Sequence, residues 1–392
     1  MIRLMFVDDD PLIREALRRS MYGMRSEWSM RFSGGGSEAL KELSIQSADV
    51  VVADMHMPEM DGAELLAEVK RLHPQAIRFI LSGRSETESI IRATRSAHRY
   101  LAKPCDAAAL KAAIARAMHL RALLNNDSLA ALVGSVDTLP TPPATYLLLR
   151  DSLRDPEMEL AEVVSILQKD VGLTSKVVKL ANSAFFGSRP PVQSLERAVS
   201  TLGTDAISAL VLGKELYDTN TALAHGFSLE RLGKHSFEVA AWARAVALHE
   251  GLAQGVAERA FLAGVLHDVG RLVFAMRKTP LPQVDQTAAQ SDGASEVEVH
   301  HAAAGAYLLG LWAFPEAIAE AVLWHHLPSG CTESELGLAG LVHIADLLAD
   351  ERDRQSGSPH ALEPGYLEGL GLTDHWPVWA GLRPDAGTVH SG

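Results

Sequence analysis

Near the start of the chain, four short apolar runs each end on a group that can handle a phosphoryl group or a divalent cation. Asp8 and Asp9 follow Leu4 to Val7, Asp54 follows Val50 to Ala53, Ser82 follows Phe79 to Leu81, and Lys103 comes shortly after Tyr100 and Leu101. Carboxylates that share a site repel one another unless a cation neutralises them, and Mg²⁺ prefers oxygen ligands while keeping several waters. Asp8, Asp9 and Asp54 are therefore candidate Mg²⁺ ligands. A phosphoryl group on the Asp54 carboxylate would add charge that a metal, the Lys103 ammonium and the Ser82 hydroxyl are suited to share. The chemistry open to this constellation is that of a phosphorylatable switch.

A second constellation lies in the other half of the chain. His235, the adjacent His267-Asp268, His301, the adjacent His325-His326, and Asp346 fall on five separate helical stretches in the order H, HD, H, HH, D. Imidazoles and carboxylates from neighbouring helices suit Zn, Mn or Fe, and a helical bundle can hold one or two such ions at its centre. A metal held there could activate water. His300 competes with His301 for its place; His301 is preferred because it opens the helix that carries Gly305 and Leu308. Any one of these histidines alone is better read as structural; the seven residues together form a candidate divalent site.

The elements that must position these groups differ between the two halves. Short apolar runs separated by helix-like stretches read as buried parallel strands, and a doubly wound α/β sheet places its site at the strands' carboxyl ends. Beyond Leu139 the sequence becomes helical, with Ala, Leu, Glu and Val at helical spacing, and an all-α domain is expected. A helix starting near Asp106 repeats its apolar face through Leu110, Ile114 and Met118. Asn125-Asn126-Asp127 interrupts it, and Leu139-Pro140-Thr141-Pro142-Pro143 marks a second boundary. The expected organisation is a first domain over 1–122, a helical linker over 123–138, a helical domain over 139–350, and an extension and tail over 351–392, where periodicity weakens.

Composition excludes some functions. At 392 residues the chain is too long for one such module. The 36 basic residues against 49 acidic ones, net -13, leave no basic footprint for DNA or anionic lipid. Only Cys105 and Cys331 are present, which fits a reducing cytoplasm and supports neither a disulfide framework nor a cysteine-based zinc site. No signal peptide is expected, and no apolar stretch is long enough to span a bilayer.

The segments LMFVDDDP (Leu4 to Pro11), VVADMHMPEMDG (Val51 to Gly62), LSG (Leu81 to Gly83) and YLAKP (Tyr100 to Pro104) together resemble the receiver domain of two-component response regulators. The resemblance implies a five-stranded sheet, Asp54 as phosphoacceptor and a backbone carbonyl of His56 among the Mg²⁺ ligands. It further implies Tyr100 as the aromatic that reorients with Ser82, and a sensor histidine kinase as partner. From residue 139 to 203, KLANSAFFG (Lys179 to Gly187), Pro190-Pro191 and Leu202-Gly203 resemble the opening of the HDOD domain, an all-helical relative of the HD-domain hydrolases. Leu180, Phe185 and Phe186 read as core anchors there and Gly187 as a helix stop.

LAGVLHDVGRLVF (Leu262 to Phe274) is similar to the HD superfamily, where the H, HD, H, HH, D order supports phosphohydrolysis. The chain departs from the cyclic-dinucleotide phosphodiesterases of that group. Leu327-Pro328-Ser329-Gly330 follows His325-His326 in place of a GYP signature, and Arg271 stands where those enzymes carry lysine. HDOD proteins, moreover, often lack a full ligand set and most have no established activity.

The leading expectation is a cytoplasmic response regulator in which Asp54 phosphorylation controls an HDOD signalling module that meets an unknown downstream protein. The alternative is a metal-dependent phosphodiesterase acting on a cyclic dinucleotide or another nucleotide. Direct DNA binding and membrane association are not expected. The expected relay runs from Ser82 and Tyr100 to the helix carrying Leu110, Ile114 and Met118, with the surface around Thr87 to Ala93 and Tyr100 to Met118 packing on the helical domain or on a second copy in a homodimer.

Overall fold

The structure is a computed structural model. It describes residues 1–82, 96–103, 106–124, 127–136, 139, 148–149, 152, 158–182, 191–212, 223–224, 226–276, 296–331, 335–352 and 362–382. Outside these lie the expected Thr87 to Ala93 surface, Pro104, the Pro140 to Pro143 run, Phe185, Phe186 and Gly187, together with the side chains of Ser82, Tyr100 and His300. The chain divides into a unit built chiefly on Met1–Asp137 and another built chiefly on Thr138–Ala181, Arg189–Leu309 and Phe314–Gly392.

The first unit alternates strands and helices: β1 (Ile2–Val7), α1 (Pro11–Ser20), β2 (Trp28–Ser33), α2 (Gly36–Ile45), β3 (Val50–Asp54), α3 (Gly62–Leu72), β4 (Ile77–Ser82) and β5 (Arg99–Ala102). The five strands form one parallel sheet in the order β2-β1-β3-β4-β5. Every second residue of the central strands, including Met5, Val7, Val51, Ala53 and Ile80, joins one core cluster with Leu43, Leu65, Leu66 and Val69 from α2 and α3. The intervening set, Leu4, Phe6, Val52 and Phe79, is equally buried. Side chains alternate across a strand, so both faces of the sheet are covered, as the unbroken apolar runs require. The register aligns Val7 with Ala53, Ala53 with Ile80, and Ser82 with Ala102, which brings all four strand ends to one edge.

Two helices follow, α4 (Ala107–Leu123) and α5 (Asp127–Gly134). Asp106 caps α4 by accepting from the Ala108 N–H. Leu110 and Ile114 are buried as the periodicity requires, but Ala117 and Leu120 continue the face where Met118 is only half-buried. Within the stretch expected as a helical linker, 123–138, α5 docks on the sheet. Arg78 of β4 is fully buried. Its guanidinium donates to the carbonyls of Ser96 (2.6 Å), Ala76 (2.9 Å) and Gly134 (2.6 Å). His98 Nδ1 accepts from the Arg78 backbone N–H at 3.1 Å, and its Nε2 lies 2.8 Å from both Arg78 Nη2 and the Gly134 carbonyl. A cation and an imidazole thus meet the carbonyl end of α5, where a helix is electronegative.

The second unit is helical throughout its described residues: α6 (Leu160–Leu167), α7 (Val171–Ala181), α8 (Leu195–Leu212, bent at Gly203), α9 (Leu229–His249), α10 (Gln254–Leu266), α11 (Val269–Met276), α12 (Glu296–Leu311), α13 (Glu316–Trp324), α14 (Leu338–Arg352), α15 (Tyr366–Leu370) and α16 (Trp376–Gly381). Helix α9 lies against α10 and α14, and α13 against the same pair. From His301 to Trp312 every residue is buried, so this part of α12 is enclosed on all sides. The extension, where periodicity weakens, is folded over 362–382. Its short helices escape periodicity analysis because specific polar contacts hold them: Trp379 Nε1–H donates to Glu250 Oε1 at 2.8 Å, and His375 Nδ1 stands 3.0 Å from the same oxygen. Among the described residues no helix is long and apolar enough to cross a membrane.

Replacing Arg78 with Met would fill its volume and strand the carbonyls it serves. Urea unfolding of Arg78→Met should show a loss of about 3 kcal/mol. A loss below about 1 kcal/mol, the scale of an exposed ion pair, would show that α5 docks without this anchor.

Candidate functional site

In the first unit the strand-end groups converge. The Lys103 ammonium lies 2.9 Å from Asp8 Oδ2 and 2.6 Å from Asp54 Oδ1, and ligand atoms of Asp8, Asp9 and Asp54 lie within 4.8 Å of one another. Asp8 and Asp54 are buried and Asp9 is exposed. Local structure fixes the loops. Asp10 caps α1 by accepting from Leu12 N–H, Pro11 opens that helix, and Asp61 with Glu64 forms a capping box at α3. His56 is exposed beyond β3.

One ammonium serves two buried carboxylates. Burial is the largest influence on Asp54, raising its pKa with help from the Asp8 charge, and Lys103 does not fully offset it. Burial acts to lower the Lys103 pKa, but hydrogen bonds and charge from Asp54 and Asp8 raise it overall, so the lysine stays charged. Three carboxylates against one ammonium leave an excess of negative charge, the electrostatics that a divalent cation corrects.

In the second unit all seven expected residues come together. His235 lies on α9, His267 and Asp268 at the junction of α10 and α11, His301 on α12, His325 and His326 just after α13, and Asp346 on α14. They form three overlapping groups, each with ligand atoms within 4.8 Å: His235, His267 and Asp346; His267, Asp268 and His325; and His301, His325 and His326. His235 Nε2 is 3.1 Å from Asp346 Oδ1, His301 Nε2 is 3.0 Å from Asp268 Oδ1, and His267 Nε2 is 3.7 Å from carboxylate oxygens of both aspartates. Arg271 Nε donates to Asp268 Oδ1 at 2.8 Å.

Backbone carbonyls set the tautomers. His267 Nδ1 is 2.7 Å from the Gly264 carbonyl and His325 Nδ1 is 2.7 Å from the Val322 carbonyl. A carbonyl only accepts, so each Nδ1 carries a proton and each ring turns its Nε2 inward. Both Nε2 atoms are buried without a hydrogen-bond partner among the described residues. Burial, with the nearby His267 and His301, holds His325 well below the usual imidazole range, and burial also lowers His301. Asp268 is ionised: burial opposes this, but Arg271, His267 and His301 together outweigh it. Asp346 is likewise lowered, with His235 overcoming burial. Neutral His301 and His325 beside ionised Asp268 and Asp346 are in the protonation states that a divalent ion needs. His235 differs, since Asp346, Asp268 and Asp350 overcome its burial and push it up to about 9.

The profile of the HDOD domain matches residues 139–328 and that of the response regulator receiver domain matches 4–115. The chain carries a receiver domain followed by an HDOD domain. This is the architecture of a response regulator with an HDOD output domain. Among curated proteins it is 24% identical over 229 residues to an uncharacterized protein of Treponema pallidum (strain Nichols), covering 56% of this chain and 43% of that one. It is 36% identical over 101 residues to the DNA-binding transcriptional regulator NtrC of Klebsiella pneumoniae, covering 26% and 21%. The chain thus spans less than half of either relative. Among solved structures, the MmoQ response regulator of Methylococcus capsulatus str. Bath is 20% identical over 62% of this chain and 98% of that one, with a TM-score of 0.46.

Close helix approach is what lets the HDOD groups meet. A Cβ on Gly264 of α10 would come within 2.6 Å of the Ala240 Cα on α9, and one on Gly270 of α11 would overlap the His301 carbonyl and come within 3.0 Å of Gly305 N on α12. Sequence reasoning did not single out Gly264, Gly270 or the supporting residues Asp350 and His343. Asp350 lies one turn beyond Asp346, 3.9 Å from His235 Nδ1, a spacing of four on a helix that the sequence does contain.

Gly270→Ala should force α11 away from α12 and part Asp268 from His301, lowering HDOD stability by about 1–3 kcal/mol. Chemical unfolding of the full chain checks this; an unchanged midpoint would show that the two helices have room to spare.

Proposed function

We propose that the receiver is phosphorylated on Asp54 by a sensor histidine kinase in the presence of Mg²⁺, and that this controls an HDOD output domain holding a divalent metal centre. The observation that carries the metal centre is the pair of buried Nε2 atoms of His267 and His325, without a hydrogen-bond partner among the described residues, beside the ionised Asp268 and Asp346. His235, His267, Asp268, His301, His325, His326 and Asp346 would hold Zn, Mn or Fe. For the receiver, the support is the single ammonium shared by Asp8 and Asp54, with Asp9 adding a third carboxylate. There Lys103 neutralises part of the charge that a phosphoryl group brings, the three aspartates and the His56 carbonyl complete the Mg²⁺ environment, and Ser82 and Tyr100 act as the switch pair.

In this reading the output acts on a downstream signalling protein. The full seven-residue set favours a second reading, phosphodiester hydrolysis of a cyclic dinucleotide or another nucleotide. A bound divalent ion supplies Lewis acidity and a water of lowered pKa. This chain's own part is to keep His301 and His325 neutral by burial, to hold Asp268 ionised through Arg271, and to leave His235 partly open to solvent.

A small-molecule phosphodonor with Mg²⁺ should label the wild type on Asp54 and leave Asp54→Asn unlabelled; equal labelling of the variant would remove Asp54 from its role.

Without metal, His235 keeps its proton up to about 9, so a binding ion must displace it. Mn²⁺ affinity should therefore rise about tenfold per pH unit from neutrality to that value. A pH-independent affinity would take His235 out of the ligand set. Hydrolysis of a cyclic dinucleotide by Mn²⁺-loaded protein, lost in Asp268→Asn, would decide for the second reading; metal binding without hydrolysis would decide for the first.

A further inference from the structure

His325 and His326 do not sit within a helix. His325 is the C-cap of α13, with its ring on the Val322 carbonyl, and His326 leads beyond it into a short turn over Pro328–Gly330. The rest of what holds this arm comes from further along the chain. His343, buried on α14 one turn before Asp346, has its Nδ1 2.8 Å from the His325 carbonyl. That nitrogen must donate, which leaves Nε2 as an acceptor, and it accepts the Glu363 backbone N–H at 3.1 Å. The Glu363 carboxylate then returns to the arm: one oxygen accepts the Ser329 N–H at 3.0 Å and the other accepts the Ser329 hydroxyl. The Tyr366 ring meets His343 edge-on, with centroids 6.1 Å apart.

The bridge closes a ring of contacts around the metal-binding residues. His343 grips the arm at His325 itself, and Glu363 grips it at Ser329, so the turn bearing His325 and His326 is fixed at both ends. Glu363 opens the folded segment 362–382, whose far end is fastened by Trp379 and His375 to Glu250, the residue after the helix that carries His235. Both His343 and Glu363 lie beyond the residues matched by the HDOD profile.

We propose that His343 and Glu363 are positioning residues for the His325-His326 arm, so that metal affinity depends on the docking of the 362–382 segment. This rests on the metal-centre reading above. Groups that orient metal ligands from behind are worth about 10- to 100-fold in affinity.

The test is a Co²⁺ titration of the full chain, read both as affinity and as the visible d–d spectrum, which reports ligand geometry. Circular dichroism and the thermal midpoint monitor the fold. His343→Phe keeps the ring and its contact with Tyr366 but removes both hydrogen bonds. Glu363→Gln keeps the shape and removes one acceptor. Both should lower Co²⁺ affinity about 10- to 100-fold and alter the spectrum. Ser329→Ala, at an exposed position that the fold tolerates, should weaken binding in the same direction by a smaller factor. Wild-type binding with all three variants unchanged in affinity and spectrum would overturn the positioning role while leaving the metal centre standing. No Co²⁺ binding by the wild type would overturn the metal centre and this inference with it.

Discussion

A buried imidazole whose one nitrogen faces a backbone carbonyl has no freedom in the other. His267 and His325 are both in this position, and the helical unit is organised around the consequence. Each turns its Nε2 to a space from which water is largely excluded, with no hydrogen-bond partner among the described residues, and an unsatisfied buried polar atom costs about 1–3 kcal/mol. Two such atoms beside two ionised carboxylates cost more than a fold would retain unless something compensates. The close crossings at Gly264 and Gly270 and the buried stretch of α12 from His301 onward concentrate these groups when they could have been spread apart.

The receiver solves a related problem with a different part. Its buried carboxylates are balanced by one lysine, which reaches both Asp8 and Asp54 from beyond β5. Half an ammonium per buried carboxylate is too little to keep Asp54 at an ordinary pKa. In each domain, then, the fold assembles more negative or lone-pair character than its own cations can neutralise. The two differ in exposure: Asp9 opens the receiver site to solvent, whereas His301 and His325 are closed off completely.

Arg78 shows the same economy applied to structure. A fully buried guanidinium is tolerated because carbonyls converge on it, one of them from the end of α5. It draws a helix that looks like a connector onto the sheet whose strand β4 ends at Ser82. Nothing in the local sequence marks Arg78 as buried, since a charged residue at a strand position normally reads as exposed.

The sequence alone determined the parallel sheet, the groups at its carboxyl edge and the seven metal-type residues. Apolar runs closed by Asp8, Asp54, Ser82 and Lys103 have one economical arrangement, and the order H, HD, H, HH, D is a pattern of residue types. It also carried the caps, since Asp10, Asp61 and Asp106 act within a few residues of themselves. Tertiary structure decided what depends on partners distant in the chain. It placed His301 in the cluster, buried His267 and His325 with Nε2 facing inward, docked α5 through Arg78, and folded 362–382 against Glu250, Ser329 and His343. The carbonyls that fix the two rings lie only three residues back, but the burial that gives them a role comes from other helices. A buried cation and a six-residue helix likewise take their state from carbonyls and a carboxylate tens of residues away, and residue type and spacing carry no record of those contacts.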